Sequence, residues 1–153
     1  MIVWRICRAT RKATAFDGEG ARRYPGRCNH RGVPVVYCAA SLALASLEYF
    51  VHLDSDDWPD DLVAIRAEVP NGVPFETVDP KTLPRGWRAI PAPVALQDLG
   101  SAWARSSRTV ALVVPSTIIP SEVNVLLNPL HADMARVVVH PPERFAFDPR
   151  MRK

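Results

Sequence analysis

Only three cysteines, seven glycines and three methionines occur in the 153 residues of this chain. Cys7, Cys28 and Cys38 lack metal-ligand spacing and cannot all pair, which excludes a disulfide framework and fits a reducing cytoplasm. There is no Gly-x-Gly-x-x-Gly fingerprint, no phosphate loop ending in Gly-Lys-Ser/Thr and no Gly-x-Ser-x-Gly elbow. Hydride transfer and metal-dependent hydrolysis are therefore poorly supported, and no metal is expected. The opening Met1-Ile-Val-Trp-Arg-Ile6 is too short an apolar run for a signal peptide, and no later run is long enough to span a bilayer. A cytoplasmic protein without membrane contact is expected.

What is present is enough apolar sequence, 48%, to build a core without staples. A single domain over residues 1–153 is expected, with 148–153 as a frayed basic tail. The net charge of +3 is unevenly spread. Residues 1–31 hold eight Lys/Arg against Asp17 and Glu19, and the rest holds eleven against fourteen Asp/Glu, so +6 faces −3. A basic first segment suits a phosphate-rich ligand, either nucleic acid or a dinucleotide, although a solvated loop would have the same composition.

Periodicity predicts a strand over 2–8, a polar binding loop over 9–32, and a buried strand from Val33 to Ala39. Ser41 is a plausible N-cap for a helix through Leu53. An acidic, turn-rich break at 54–61 precedes a half-exposed strand over 62–69. Proline-rich loop over 70–92 leads into a helix over 94–106, with Trp103 in the core. Strands follow at 109–115 and 121–127, and 136–140 with 144–147 are expected to close a hairpin across Pro141-Pro142. Strands dominate and the helices do not alternate with them, so the fold class is α+β rather than doubly wound.

Several polar residues stand where packing does not ask for them. Glu48 lies within Ser41-Leu-Ala-Leu-Ala-Ser-Leu-Glu-Tyr-Phe-Val-His52, and a carboxylate among such neighbours is costly unless a partner or substrate uses it. On a helix from Ser41, His52 follows Glu48 by one turn and looks into the same cleft; a surface pair is the plainer alternative. Arg27, after Pro25-Gly26, offers a planar fork matched to phosphate. Tyr37 ends a buried strand, where its ring could serve the core or stack on a heterocycle. Ser116 ends another strand after Pro115, and Asn124 and Asn128 bracket Val-Leu-Leu.

In order along the chain, Trp4-Arg5-Ile6, Gly26-Arg27-Cys28-Asn29, Gly32-Val-Pro-Val-Val-Tyr37, Ser41-Leu-Ala-Leu-Ala with Glu48, Trp103, Val114-Pro-Ser116 and Asn124-Val-Leu-Leu-Asn128-Pro129 resemble the RES family, named for its Arg, Glu and Ser. Cys28 stands where the family pattern has Trp, which leaves no ring to stack there. The resemblance implies an ADP-ribosyltransferase-like fold and a toxin of a type II Xre–RES toxin–antitoxin system with NAD as substrate. The implied reaction cleaves the nicotinamide–ribose bond, with water or inorganic phosphate as acceptor, and some relatives instead transfer ADP-ribose to a protein. By position it implies Arg27, Tyr37, Glu48 and Ser116 as the core site, with Arg5, His52 and Asn128 in support. The implied partner is an Xre-type helix-turn-helix antitoxin that occludes the cleft within a higher-order complex, with the proline-rich loops and the 54–61 segment as candidate contacts. No direct nucleic-acid contact is expected. A non-catalytic nucleic-acid-binding module is the rival from another class, disfavoured because the basic residues are not interleaved with aromatics.

Overall fold

The computed structural model describes residues 1–53 and 58–152. Its strands are β1 (Ile2–Arg8), β2 (Val36–Ala39), β3 (Leu62–Glu68), β4 (Phe75–Thr77), β5 (Ala111–Pro115), β6 (Val123–Leu127), β7 (Val138–Val139) and β8 (Glu143–Phe145). They form one sheet in the order β4-β5-β6-β2-β1-β3-β7, with β8 also paired to β3. Only β4 and β5 run parallel; the other pairings are antiparallel. Three α-helices accompany the sheet among the described residues: α1 (Glu19–Arg23), α2 (Leu42–Phe50) and α3 (Val94–Ser106).

Strand alternation sorts the core into two sides. Val3, Val36, Cys38, Ala67, Val113, Val125 and Leu127 pack together on one face. On the other, α2 covers Ile6, Ala39, Leu62 and Ala64, while Trp103 and Ala104 of α3 cover Leu112 and Leu126. The sheet is thus roofed on that side by two helices standing apart, with the middle strands between them. The α+β class expected from the order of elements is the one found.

Several expectations need correction. The second strand starts at Val36, not Val33, since Pro34 has no N–H to give a ladder. Ser41 does cap α2, its Oγ accepting from the Leu44 N–H at 3.1 Å. The helix nevertheless ends at Phe50 and not Leu53. Residues 9–32 are not an open loop: Ala9–Thr14 is a 3₁₀ helix and α1 follows. A strand, β4, was hidden in the proline-rich stretch, too short to show a period. The hairpin across Pro141-Pro142 does not form. β7 and β8 lie end to end along β3, opposite Ala67–Glu68 and Leu62–Ala64 respectively. The two prolines interrupt this edge because neither can donate to the ladder. Within the expected tail, Pro149–Met151 is a 3₁₀ turn and Met151 packs against the core cluster that holds Leu44 and Ala45. Of the acidic segment and the tail, residues 54–57 and 153 lie outside the described residues.

The helix α3 lies close against the 26–29 turn at Gly100. A Cβ on Gly100 would lie 1.9 Å from the Cys28 carbonyl oxygen, so only glycine permits the contact. Gly100→Ala is expected to destabilise by at least ~2 kcal/mol in urea unfolding through forced backbone displacement. Gly20→Ala, with nothing within 4 Å of the added methyl, should be neutral or stabilising by up to ~1 kcal/mol. Burial pushes the Cys28 thiol up to about 11 and the Cys38 thiol to about 12, from an ordinary 9.0. Both thiols stay protonated in the folded chain at a pH where the unfolded chain begins to release them. Their contribution is complete below about pH 9 and is lost as the pH rises toward about 11 for Cys28 and about 12 for Cys38. The urea midpoint should decline over that interval, and an aromatic disulfide reagent should leave the native thiols unreacted at pH 8.

Candidate active site

The helix α2 carries a carboxylate on its inner side. Leu44 and Ala45 are buried, and Glu48 follows Leu44 by four residues, so it shares the buried stripe. Its Oε1 accepts two hydrogen bonds, from Ser116 Oγ at 2.9 Å and from Asn124 Nδ2 at 2.6 Å. Both donors come from the β5–β6 hairpin: Ser116 directly follows β5, and Asn124 is the second residue of β6. Ser116 is fully buried. Its Oγ accepts from the N–H groups of Ile118 and Ile119 at 3.1 and 3.2 Å, which uses both lone pairs and aims its hydroxyl proton at Glu48. Charge-assisted bonds of this kind are worth about 1.5–3 kcal/mol each, enough to offset the partial burial of one carboxylate.

A second cluster gathers at the 26–29 turn. Asn29, fully buried, accepts from the Gly26 N–H at 2.9 Å and from the Tyr37 hydroxyl at 2.7 Å, and donates to the carbonyls of Ala21, His30 and Val33. The Tyr37 hydroxyl also accepts from the Cys28 N–H at 3.0 Å. Its ring packs with Leu112 and Leu126 in the cluster beneath α3. Burial drives the Tyr37 phenol far above its ordinary 10.0, so it stays protonated. The turn so fixed projects Arg27, whose Nη1 donates to the carbonyls of Trp87 and Ala89 at 2.9 and 3.1 Å.

Sheet register brings the two clusters to one place. Ala39 opposes Asn124 and Tyr37 opposes Leu126 across β2 and β6. Tyr37 and Asn124 therefore share a face as diagonal neighbours, roughly 7–8 Å apart. Ala39, Asn124 and Val114 form one row across β2, β6 and β5, in the strip between α2 and α3. Across it runs residues 87–89, held to Arg27 at one side and, through Arg88 Nε to the Thr117 carbonyl at 3.0 Å, to the residue after Ser116 at the other. The result is a trough with a carboxylate and its donors on one wall and an arginine on the other.

Four of the residues singled out in the sequence, Arg27, Tyr37, Glu48 and Ser116, line this trough or support it. His52 and Asn128 make no hydrogen bond to these four residues, and Arg5 reaches only the backbone of Tyr37. Arg5 alternates with Trp4 and Ile6, which pack under α2, and so leaves β1 on the other face. Its Nη1 donates to the Tyr37 carbonyl at 2.7 Å, where β1 and β2 have only Trp4–Ala39 as a paired position. His52 is exposed in the turn beyond α2, because the helix stops short of the turn that would have aligned it with Glu48. Asn128 is buried and ties α3 to β6, donating to the Ala104 carbonyl at 2.8 Å and accepting from the Leu130 N–H at 3.1 Å. Trp103 is core, as expected, its indole N–H donating to Thr109. Asn124, noted in the sequence beside Asn128 but given no role in the site, is the one of the two that bonds Glu48. Its signal was one amide in the otherwise apolar strand Val123–Leu127. Among the described residues no group of three His, Cys, Asp or Glu is arranged to hold a metal, and no helix is long and apolar enough to cross a membrane.

Known proteins share this arrangement of sequence and fold. The RES domain pattern matches residues 2–148. The Prs ADP-ribosylating toxin of Sphingobium sp. (strain YBL2) is 43% identical over 97% of this chain and 94% of its own. Toxin Res of Yersinia enterocolitica is 35% identical over 99% of this chain and 100% of its own. A chain of the M. tuberculosis MbcT–MbcA toxin–antitoxin complex superposes with a TM-score of 0.70 at 15% identity, over 95% of this chain and 84% of that one. That likeness is one of fold, and it agrees with the α+β class expected for the chain. With a pattern spanning nearly every residue and relatives this similar over their full length, the chain belongs to the RES domain family.

Proposed function

We propose that this protein is the toxin of a type II toxin–antitoxin pair and that it acts by breaking the nicotinamide–ribose bond of NAD. The observation that carries the reading is the Glu48 carboxylate, pinned through one oxygen by Ser116 and Asn124. The relatives named as Toxin Res and as an ADP-ribosylating toxin support the same chemistry, since ADP-ribosylation begins with departure of nicotinamide.

Nicotinamide is cationic in NAD and leaves as a neutral base, taking the electron pair of the C1′–N bond with it. The site needs no acid for that departure. Positive charge then develops on the ribose, as it does in glycoside hydrolysis. A fixed carboxylate facing that charge costs no reorganisation at the moment of reaction. Glu48 Oε1 is held by its two donors, and Oε2 is the oxygen available to the ribose. Arg27 spends Nη1 on the Trp87 and Ala89 carbonyls, and the rest of its guanidinium suits a phosphate of the dinucleotide. Tyr37 acts through the turn it braces. An acceptor oxygen forms the new bond to C1′; a water or hydroxyl acceptor passes its proton to solvent, and an anionic phosphate oxygen has none to lose. Water or inorganic phosphate as acceptor gives free products. A protein acceptor is the second reading, favoured by the 43% identical relative named for ADP-ribosylation.

The MbcT–MbcA complex is a toxin bound to its antitoxin, and the shared fold supports an antitoxin partner here. We assign that role to an Xre-type protein covering the trough within a larger assembly in the cytoplasm.

Purified protein with NAD is expected to release nicotinamide, and Glu48→Gln should lower the rate at least ~100-fold with the thermal midpoint kept within a few degrees. Release that depends on added phosphate means a phosphorylase, and release without phosphate means a glycohydrolase. Labelled ADP-ribose carried on a protein supports the second reading. Full release by Glu48→Gln would remove the carboxylate from the mechanism.

A further inference from the structure

Three asparagines are tied into the interior in different ways. Asn29 has both ends of its amide engaged, with Gly26 and Tyr37 at Oδ1 and three carbonyls at Nδ2. Asn128 is likewise satisfied at both ends, by the Leu130 N–H and the Ala104 carbonyl. These two hold backbone to backbone. Asn124 holds none. Its Nδ2 donates to Glu48, and its Oδ1 is buried without a hydrogen-bond partner among the described residues.

An acceptor buried without a donor destabilises a fold, and the neighbours of Asn124 on its strand, Val123, Val125, Leu126 and Leu127, show what the sheet itself favours there. The amide therefore stands at this position at a cost to stability, and its one interaction is with the carboxylate. Its orientation is also dictated by that contact: a carboxylate only accepts, so Nδ2 must face Glu48 and Oδ1 must face away. Ser116 bonds the same Oε1 from the end of the neighbouring strand. Two donors converging on one oxygen restrict rotation of the carboxylate about its last torsion and leave Oε2 as the presented oxygen.

Resting on the NAD reading of this site, we infer that Asn124 is a positioning residue for the reaction, which fixes the Glu48 carboxylate so that Oε2 faces the reacting ribose. It acts through Glu48 and touches no substrate atom. The β6 strand serves as a rigid mount for it, since Asn124 is paired on both sides, with Ala39 and with Val114. Placement on a central strand gives finer control than a loop would.

The test is Asn124→Leu, assayed by nicotinamide release from NAD and by thermal unfolding. The expected result is kcat lowered about 30-fold or more with KM within about threefold, and a thermal midpoint equal to or above that of the unsubstituted protein. Unchanged kcat overturns the inference, as does a loss of kcat that only tracks a loss of folded protein. Should the leucine variant fail to fold, Asn124→Asp keeps the shape while replacing the donor by a second acceptor, and the same kcat loss at unchanged KM is required of it. If the unsubstituted protein releases no nicotinamide, the NAD reading falls. A urea double-mutant cycle of Asn124→Leu with Glu48→Ala then decides this inference. Coupling of about fivefold or more in the folding equilibrium supports the pairing, and independent effects overturn it.

Discussion

A carboxylate on an apolar helix has to find its donors elsewhere in the fold, and the way Glu48 finds them organises this molecule. Both donors belong to the β5–β6 hairpin, one at the end of a strand and one inside it. Neither could reach the helix unless α2 lay against the sheet beside β2, on the face where Asn124 stands. Ser116 is itself prepared for the task, since the loop after β5 folds back to place two N–H groups on its oxygen.

The opposite wall obeys a similar economy. Asn29 binds five groups from a fully buried position and joins α1, the 26–29 turn and Tyr37 into a unit. Gly26 lets that turn lie against the Tyr37 ring, where a Cβ would come within 2.9 Å of the phenol. Gly100 lets α3 lie against the other side. Arg27 is in consequence held at its base by a rigid turn and at its tip by the carbonyls of residues 87 and 89. An arginine so restrained loses little side-chain freedom when an anion arrives, which is what a phosphate-binding fork requires.

The parts of this account legible in the sequence are those where one residue type conflicts with its surroundings. Glu48 amid Leu, Tyr and Phe was such a conflict, and so was the serine cap that starts its helix. The α+β class followed from strands that alternate and helices that do not. The illegible parts depend on distant partners. Whether Asn124 or Asn128 serves the site is decided by register across β2 and β6, and nothing within Asn-Val-Leu-Leu-Asn announces it. The helix carrying Glu48 stops at Phe50 although Val51 and His52 continue its apolar and polar pattern, so the expected Glu48–His52 alignment depended on one turn that is not made. The diproline looked like a hairpin turn and is instead a break in one edge strand, because β3 offers a longer partner than either short strand offers the other.

The central claim is that the reacting ribose of NAD sits against position 48. A crystal structure of the Glu48→Gln protein soaked with intact NAD tests it most directly. The account predicts the nicotinamide ribose within hydrogen-bond distance of the residue-48 side chain, with a phosphate at Arg27. NAD bound outside the trough, for example at the cavity of about 300 Å³ lined by Arg31, Arg105 and Leu130 at the C-terminal end of α3, would contradict it.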